Sequence, residues 1–215
     1  MAKEEYLKKK NTPIVLIFII WCLALYLAFL SSPSGFWTKL VYTFSELSAK
    51  DGIVVALSPV LALVLTGLIS SGNKARLVYW RLKNALPGHR VFSKLAKRDP
   101  RIDMQILAKK MGPLPQEPHE QNTKWYSMYK KYSESLTVKE AHRNFLLARD
   151  LCSISFLFSV LSPWGLLLFQ NMLKWALIYF FVMFLHYLVF AIVARNHGNR
   201  FVCNVVAEYS SEGTP

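Results

Sequence analysis

The side chains able to do chemistry are scattered along this chain. His89, His119, His142 and His197 fall in polar segments and His186 in an apolar one, and no H-E-x-x-H, G-x-S-x-G, Walker or C-x-x-C pattern occurs. His119-Glu120 and Glu140-Ala141-His142 each set an acid near an imidazole, but a zinc site needs a set of ligands rather than one isolated pair. Asp99, Asp103 and Asp150 are the acids that could hold a divalent ion against a phosphate substrate. Asp99 directly precedes Pro100, and that pair reads more simply as a helix cap followed by a first-turn proline. Cys22, Cys152 and Cys203 form no spacing motif, which argues against a thiolate metal site and a disulfide framework. The expectation is a non-enzymatic chain without a cofactor.

The elements that would carry these residues are set by four uncharged apolar runs, 13–30, 52–71, 151–169 and 175–194. A helix crossing a hydrocarbon core of ~30 Å needs ~20 residues, and each run is of that order. The fold class expected is therefore an all-α membrane protein, with four transmembrane helices in two pairs and a helical cytosolic middle. The first run follows Lys8, Lys9 and Lys10, as a signal peptide would, but it exceeds the usual apolar core of such a peptide, ~7–15 residues. It reads as an uncleaved anchor.

Charge orients the chain. Residues 1–12 carry four Lys, 195–215 carry Arg195 and Arg200, and 72–150 carries 17 Lys/Arg against 7 Asp/Glu. Of 26 basic residues, 23 fall on one side if both ends and the middle share it, which makes that side cytosolic by the positive-inside rule. The expected location is a bacterial inner membrane, with both termini cytosolic and membrane lipid as an obligatory partner.

The middle is punctuated like a folded layer. Residues 73–84 read as a helix ended by Leu86-Pro87-Gly88. Asp99-Pro100 is expected to start a second helix, with Ile102, Ile106 and Leu107 on its apolar face and Gly112 as its stop. Pro113, Pro115 and Pro118 make an extended connector. A third helix over 120–134 places Trp125, Met128, Tyr129 and Tyr132 on one stripe. Thr137-Val138-Lys139-Glu140 has capping-box form and opens a long helix over about 138–161 that Pro163 ends. Lys94, Lys97, Arg98 and Arg101 bracket one helix start, and Lys124, Lys130 and Lys131 interleave with Trp125, Tyr129 and Tyr132. Cations beside a cytosolic leaflet attract its anionic headgroups, and basic residues among aromatics can also bind a soluble partner. These ten residues are the candidate docking surface, for a cytosolic protein first and directly for nucleic acid second.

Within the spans, Cys152, Ser155, Ser159 and Ser162 form a small-residue stripe that would let helices approach closely and a homo-oligomer assemble. His186 is mid-span; ionisable groups there face the bundle interior, and a serine of that stripe is its expected partner. Repeated around an oligomer, Ser155, Ser159, Ser162 and His186 could instead line a pore, the alternative function. A membrane enzyme acting on lipid or polyprenyl phosphates is a further alternative. Arg195 and Arg200 read as basic anchors at the membrane edge.

Four strings carry a family resemblance: residues 86–90 (LPGHR), 99–103 (DPRID), 121–126 (QNTKWY) and 194–202 (ARNHGNRFV). With the four-span layout, the chain resembles small multi-span proteins encoded in bacterial anti-phage defence operons, the Kiwa-type membrane subunit in particular. The resemblance implies an oligomeric inner-membrane subunit that recruits a cytosolic partner able to engage nucleic acid. It assigns no functional residue.

Overall fold

The computed structural model describes residues 2–31, 60–61, 64–170 and 173–212. Its elements are helical: α1 (Ala2–Ser31), α2 (Ser71–Tyr79), α3 (Met104–Met111), α4 (Pro118–Tyr132), α5 (Leu136–Gln170) and α6 (Leu173–Ser211), with no strand among the described residues. Between α2 and α3 lie two 3-10 turns, Pro87–Arg90 and Ala96–Arg98, on either side of a π-helical turn at Val91–Leu95. Three helical stretches, Glu5–Phe29, Leu136–Leu167 and Leu173–Ser211, are long and apolar enough to cross a membrane. Half of the expected second span, 52–71, lies outside the described residues, and with it the expected pairing of spans.

The chain divides into two compact units. One comprises residues 1–74 and 149–190, the other 75–148 and 191–215. Helices α5 and α6 contribute to both.

In the first unit α1 runs antiparallel to α6. Phe18 meets Phe190 edge-on at 5.1 Å, Tyr26 meets Tyr179 at 5.7 Å and Phe29 meets Trp175 at 6.0 Å. Helix α5 joins through Phe156 against Tyr187 and through Gly165, whose missing side chain leaves room for the Tyr26 hydroxyl. The outer face of α6, with Leu177, Phe181, Leu185 and Val189 at four-residue spacing, is exposed and apolar, as a lipid-facing stripe must be. Pro163 does not end α5, which continues to Gln170; proline costs a helix one backbone bond and local strain, and in spanning helices side chains and neighbours absorb this.

In the second unit α4 lays its predicted stripe on the C-terminal part of α6. Trp125 and Met128 are buried, and Trp125 Nε1 donates to the Val202 carbonyl at 3.2 Å. Tyr129 stacks on Trp125 and meets Phe201 edge-on. His142 of α5 lies flat on Phe201 at 4.5 Å and bonds the Tyr129 hydroxyl at 3.0 Å. The helix starts at Pro118, two residues ahead of expectation, because proline suits the first turn.

Three further expectations are corrected. Helix α2 ends at Tyr79 rather than Asn84, with Trp80 at φ 52°. Asp103, not Asp99, caps α3, accepting from Gln105 N at 2.7 Å and Ile106 N at 3.2 Å. The Thr137 hydroxyl is drawn away from a capping box: it and Ser135 Oγ both donate to Glu208 of α6, at 3.0 and 2.6 Å. Gly112 does stop α3, at φ 75°, as expected.

Candidate functional site

The second unit positions the basic candidates, and Gln121 holds its irregular segment in place. A π turn leaves N–H groups without helical partners at its start. Gln121 of α4, 1% exposed, takes them: its Oε1 accepts from Phe92 N, Ser93 N and Ser93 Oγ, each at 3.1 Å. Its Nε2 donates to Gln116 O at 2.7 Å. Gly88 packs so closely on α4 that a Cβ there would lie 2.3 Å from Asn122 Oδ1, and His89 Nδ1 bonds Pro118 O at 3.0 Å. A stretch of mixed helical turns is thereby fixed as firmly as a regular helix.

The candidates from this stretch separate by environment. Lys94, Lys97, Arg98 and Arg101 are exposed on it, and Lys124, Lys130 and Lys131 on α4. Lys130 sits over the Tyr126 ring at 5.0 Å. Lys131 is ion-paired with Glu212 at 2.6 Å, and the Tyr132 hydroxyl donates to the same carboxylate. Lys110, not singled out by the sequence, places its ammonium against the carbonyls of Tyr209, Ser210 and Glu212, where a cation complements the C-terminal end of α6. Of the aromatic candidates Trp125 is buried and Tyr129 and Tyr132 half-buried, while Lys124, Lys130 and Lys131 of the same helix are exposed.

Arg195 and Arg200, both on α6, do different things. Arg195 is not a plain edge anchor: its guanidinium lies 3.5 Å from the centre of the Trp80 ring, and Nε donates to the Val78 carbonyl. It thus occupies the end of α2 and holds Trp80 in the left-handed conformation that stops the helix. Arg90 covers Tyr79 at 4.8 Å, and burial pushes the Tyr79 phenol up.

Arg200 instead faces an open cleft of about 550 Å³ with Leu95, Arg98, Asp99, Pro100, Arg101, Asn199 and Cys203. Asp99 Oδ1 accepts from Arg101 N and Nε at 3.1 and 2.9 Å, and Oδ2 from Nη2 at 2.7 Å. The Arg101 hydrogen bonds hold the Asp99 carboxyl below the usual carboxylate range. The cleft unites Arg98 and Arg101 with Arg200, residues the sequence placed in separate groups. Asn199 and Cys203 had no signal beyond the Gly198-Asn199-Arg200 run.

The acids considered as metal ligands are otherwise engaged: Asp99 with Arg101, Asp103 as a cap and Asp150 with Lys74. No group of three or more His, Cys, Asp or Glu gathers at metal-binding range among the described residues.

In the first unit the span candidates bond to their own helices. Ser155 Oγ donates to Leu151 O at 2.9 Å and Ser159 Oγ to Phe156 O at 2.8 Å, both buried. Ser162 is half-buried. His186 Nδ1 bonds Val182 O, one turn earlier, at 2.8 Å rather than a serine of α5, and its ring faces Phe18. The turn below an α6 residue supplies a carbonyl at hand, whereas Ser155 and Ser159 spend their hydroxyls on α5.

No family model, no curated protein and no solved structure matches the chain.

Proposed function

We propose that the chain is a non-enzymatic, oligomeric subunit of a bacterial cytoplasmic membrane whose basic cytosolic unit docks a soluble protein, within an anti-phage defence system as the family resemblance implies. One observation supports this reading most. The polar middle has its own core, built on Phe92, Leu107, Trp125, Met128 and Phe201, while Lys94, Lys97, Lys124 and Lys130 stay exposed around it. A predominantly basic surface steers and registers a partner of the other sign, so the partner presents an acidic patch. Three helices of spanning length would anchor that surface at the membrane. The aromatic stripe serves the unit's own packing, so docking rests on charge.

The test uses the detergent-solubilised full chain, tagged, with the product of the neighbouring gene as bait. That protein is expected to co-purify at low salt, and Lys→Glu changes at Lys94, Lys97, Lys124 and Lys130 together should release it without lowering the yield of the membrane chain. Recovery of no cytosolic protein, from infected or uninfected cells, would sink the proposal.

A further inference from the structure

We infer that the cleft between the Ala96–Arg98 turn and α6 binds a terminal phosphate group. Three arginines, Arg98, Arg101 and Arg200, line it beside one acidic residue, Asp99. Asp99 is spent: both its oxygens are held by Arg101, in the bidentate geometry that suits a guanidinium fork. Arg98 and Arg200 are exposed and form no ion pair with the described residues, so the cleft keeps a net positive charge. Arg101 itself retains N–H groups, since only Nε and one bond from Nη2 are committed and the side chain is 47% exposed.

Asn199 adds a polar group without a task. Its Oδ1 is enclosed with no hydrogen-bond partner among the described residues, an arrangement that costs free energy and that a bound hydroxyl or a turned amide would relieve. Planar guanidinium forks match phosphate oxygens, and a terminal phosphate, with its higher charge, answers several cations where a carboxylate answers one. The cleft, about 550 Å³, is larger than orthophosphate needs, and Leu95 and Pro100 give the surplus an apolar wall. The ligand class is therefore a phosphomonoester.

Two sources supply that group. Arg200 lies roughly six residues beyond the expected end of the last span, about 9 Å along a helix, near the depth of lipid headgroups, so a phosphatidic-acid-type lipid fits. A soluble phosphomonoester carries the same terminal phosphate.

Calorimetric titration of the full chain in detergent tests the site with orthophosphate, dihexanoyl phosphatidic acid and dihexanoyl phosphatidylcholine. Phosphatidic acid or orthophosphate is expected to bind, phosphatidylcholine not. Arg98→Gln and Arg200→Gln should each weaken binding about tenfold, the scale of one charge-assisted hydrogen bond. Lys109→Gln, which removes an exposed cation outside the cleft, should leave it unchanged. Phosphatidic acid binding that orthophosphate does not displace identifies a lipid; displacement identifies the phosphate group alone as sufficient. The inference is overturned if neither probe binds, if both arginine variants bind as the parent does, or if Lys109→Gln weakens binding as much as they do.

Discussion

Lys74 Nζ lies 2.7 Å from Asp150 Oδ1, with the two side chains only 5% and 9% exposed. Arg149 Nε stands 3.6 Å from the same oxygen. Burial lowers the Lys74 pKa, with Asp150 opposing that shift, so the pair balances desolvation against attraction. Removing one member of a buried pair strands the other, at about 3–5 kcal/mol. Lys74→Met should cost toward the low end, about 3 kcal/mol, because Arg149 still faces the carboxylate. The double variant Lys74→Met with Asp150→Leu should recover only part of the loss, because Arg149, 6% exposed, then loses the carboxylate it faces. Denaturant unfolding in detergent measures both.

Gln121 offers a second, sharper test, since one side chain satisfies two backbone N–H groups and a hydroxyl. Gln121→Leu leaves the buried Phe92 amide and the part-buried Ser93 amide without acceptors, a penalty of about 2–6 kcal/mol from roughly 1–3 for each stranded group. Gln121→Glu keeps the acceptor but buries a carboxylate and sets an oxygen against the Gln116 carbonyl, so it should destabilise as well, and less so at low pH, where the protonated acid can donate to Gln116 O. Limited proteolysis should show cleavage within 86–98 in the leucine variant well before the parent is cut.

What could be read from sequence was whatever depends on neighbours in the chain. Apolar runs marked α1, α5 and α6, each with a stretch long and apolar enough to cross a membrane, the period of Trp125, Met128 and Tyr132 marked a buried face, and Gly112 marked a stop. The misses share a cause: a distant residue outbids a local one. Arg195 ends α2 from more than a hundred positions away, and Glu208 takes the hydroxyls of Ser135 and Thr137. Asp99 and Asp103 are equally good caps by type, and the bond of Arg101 to Asp99 leaves Asp103 to the helix. The basic cleft was illegible for the same reason, because α6 brings Arg200 to Arg98 only on folding.

Gly198 reverses an ordinary expectation. Glycine inside a helix is worth about 1 kcal/mol less than alanine, so Gly198→Ala in the middle of α6 would normally stabilise. Here an added Cβ would meet the Tyr79 hydroxyl at 2.1 Å and the Phe145 ring at 2.9 Å. The substitution should therefore destabilise, by about 1–3 kcal/mol as other overpacked cores do. Tyr79→Phe in the same chain removes the closest atom and should restore part of the loss, with Phe145 keeping the rest. Thermal unfolding of the single and double variants decides it.

Asp99 gives the pH-dependent prediction. Its folded-state pKa is lowered, first by the Arg101 side-chain bond. Between that value and the unfolded value of about 3.8 the unfolded chain binds more protons. The stabilisation is thus complete above about pH 3.8 and is lost as pH falls through the folded value. Arg101 is 47% exposed, so solvent screening keeps the effect under about 1 kcal/mol. Asp99→Asn should lower the unfolding midpoint by a constant small amount from about pH 7 to about pH 5, with the gap to the parent closing below about pH 3.8. A gap that widened on acidification would mean that the native state holds the proton on Asp99 more tightly than the unfolded chain does, which the two Arg101 contacts forbid.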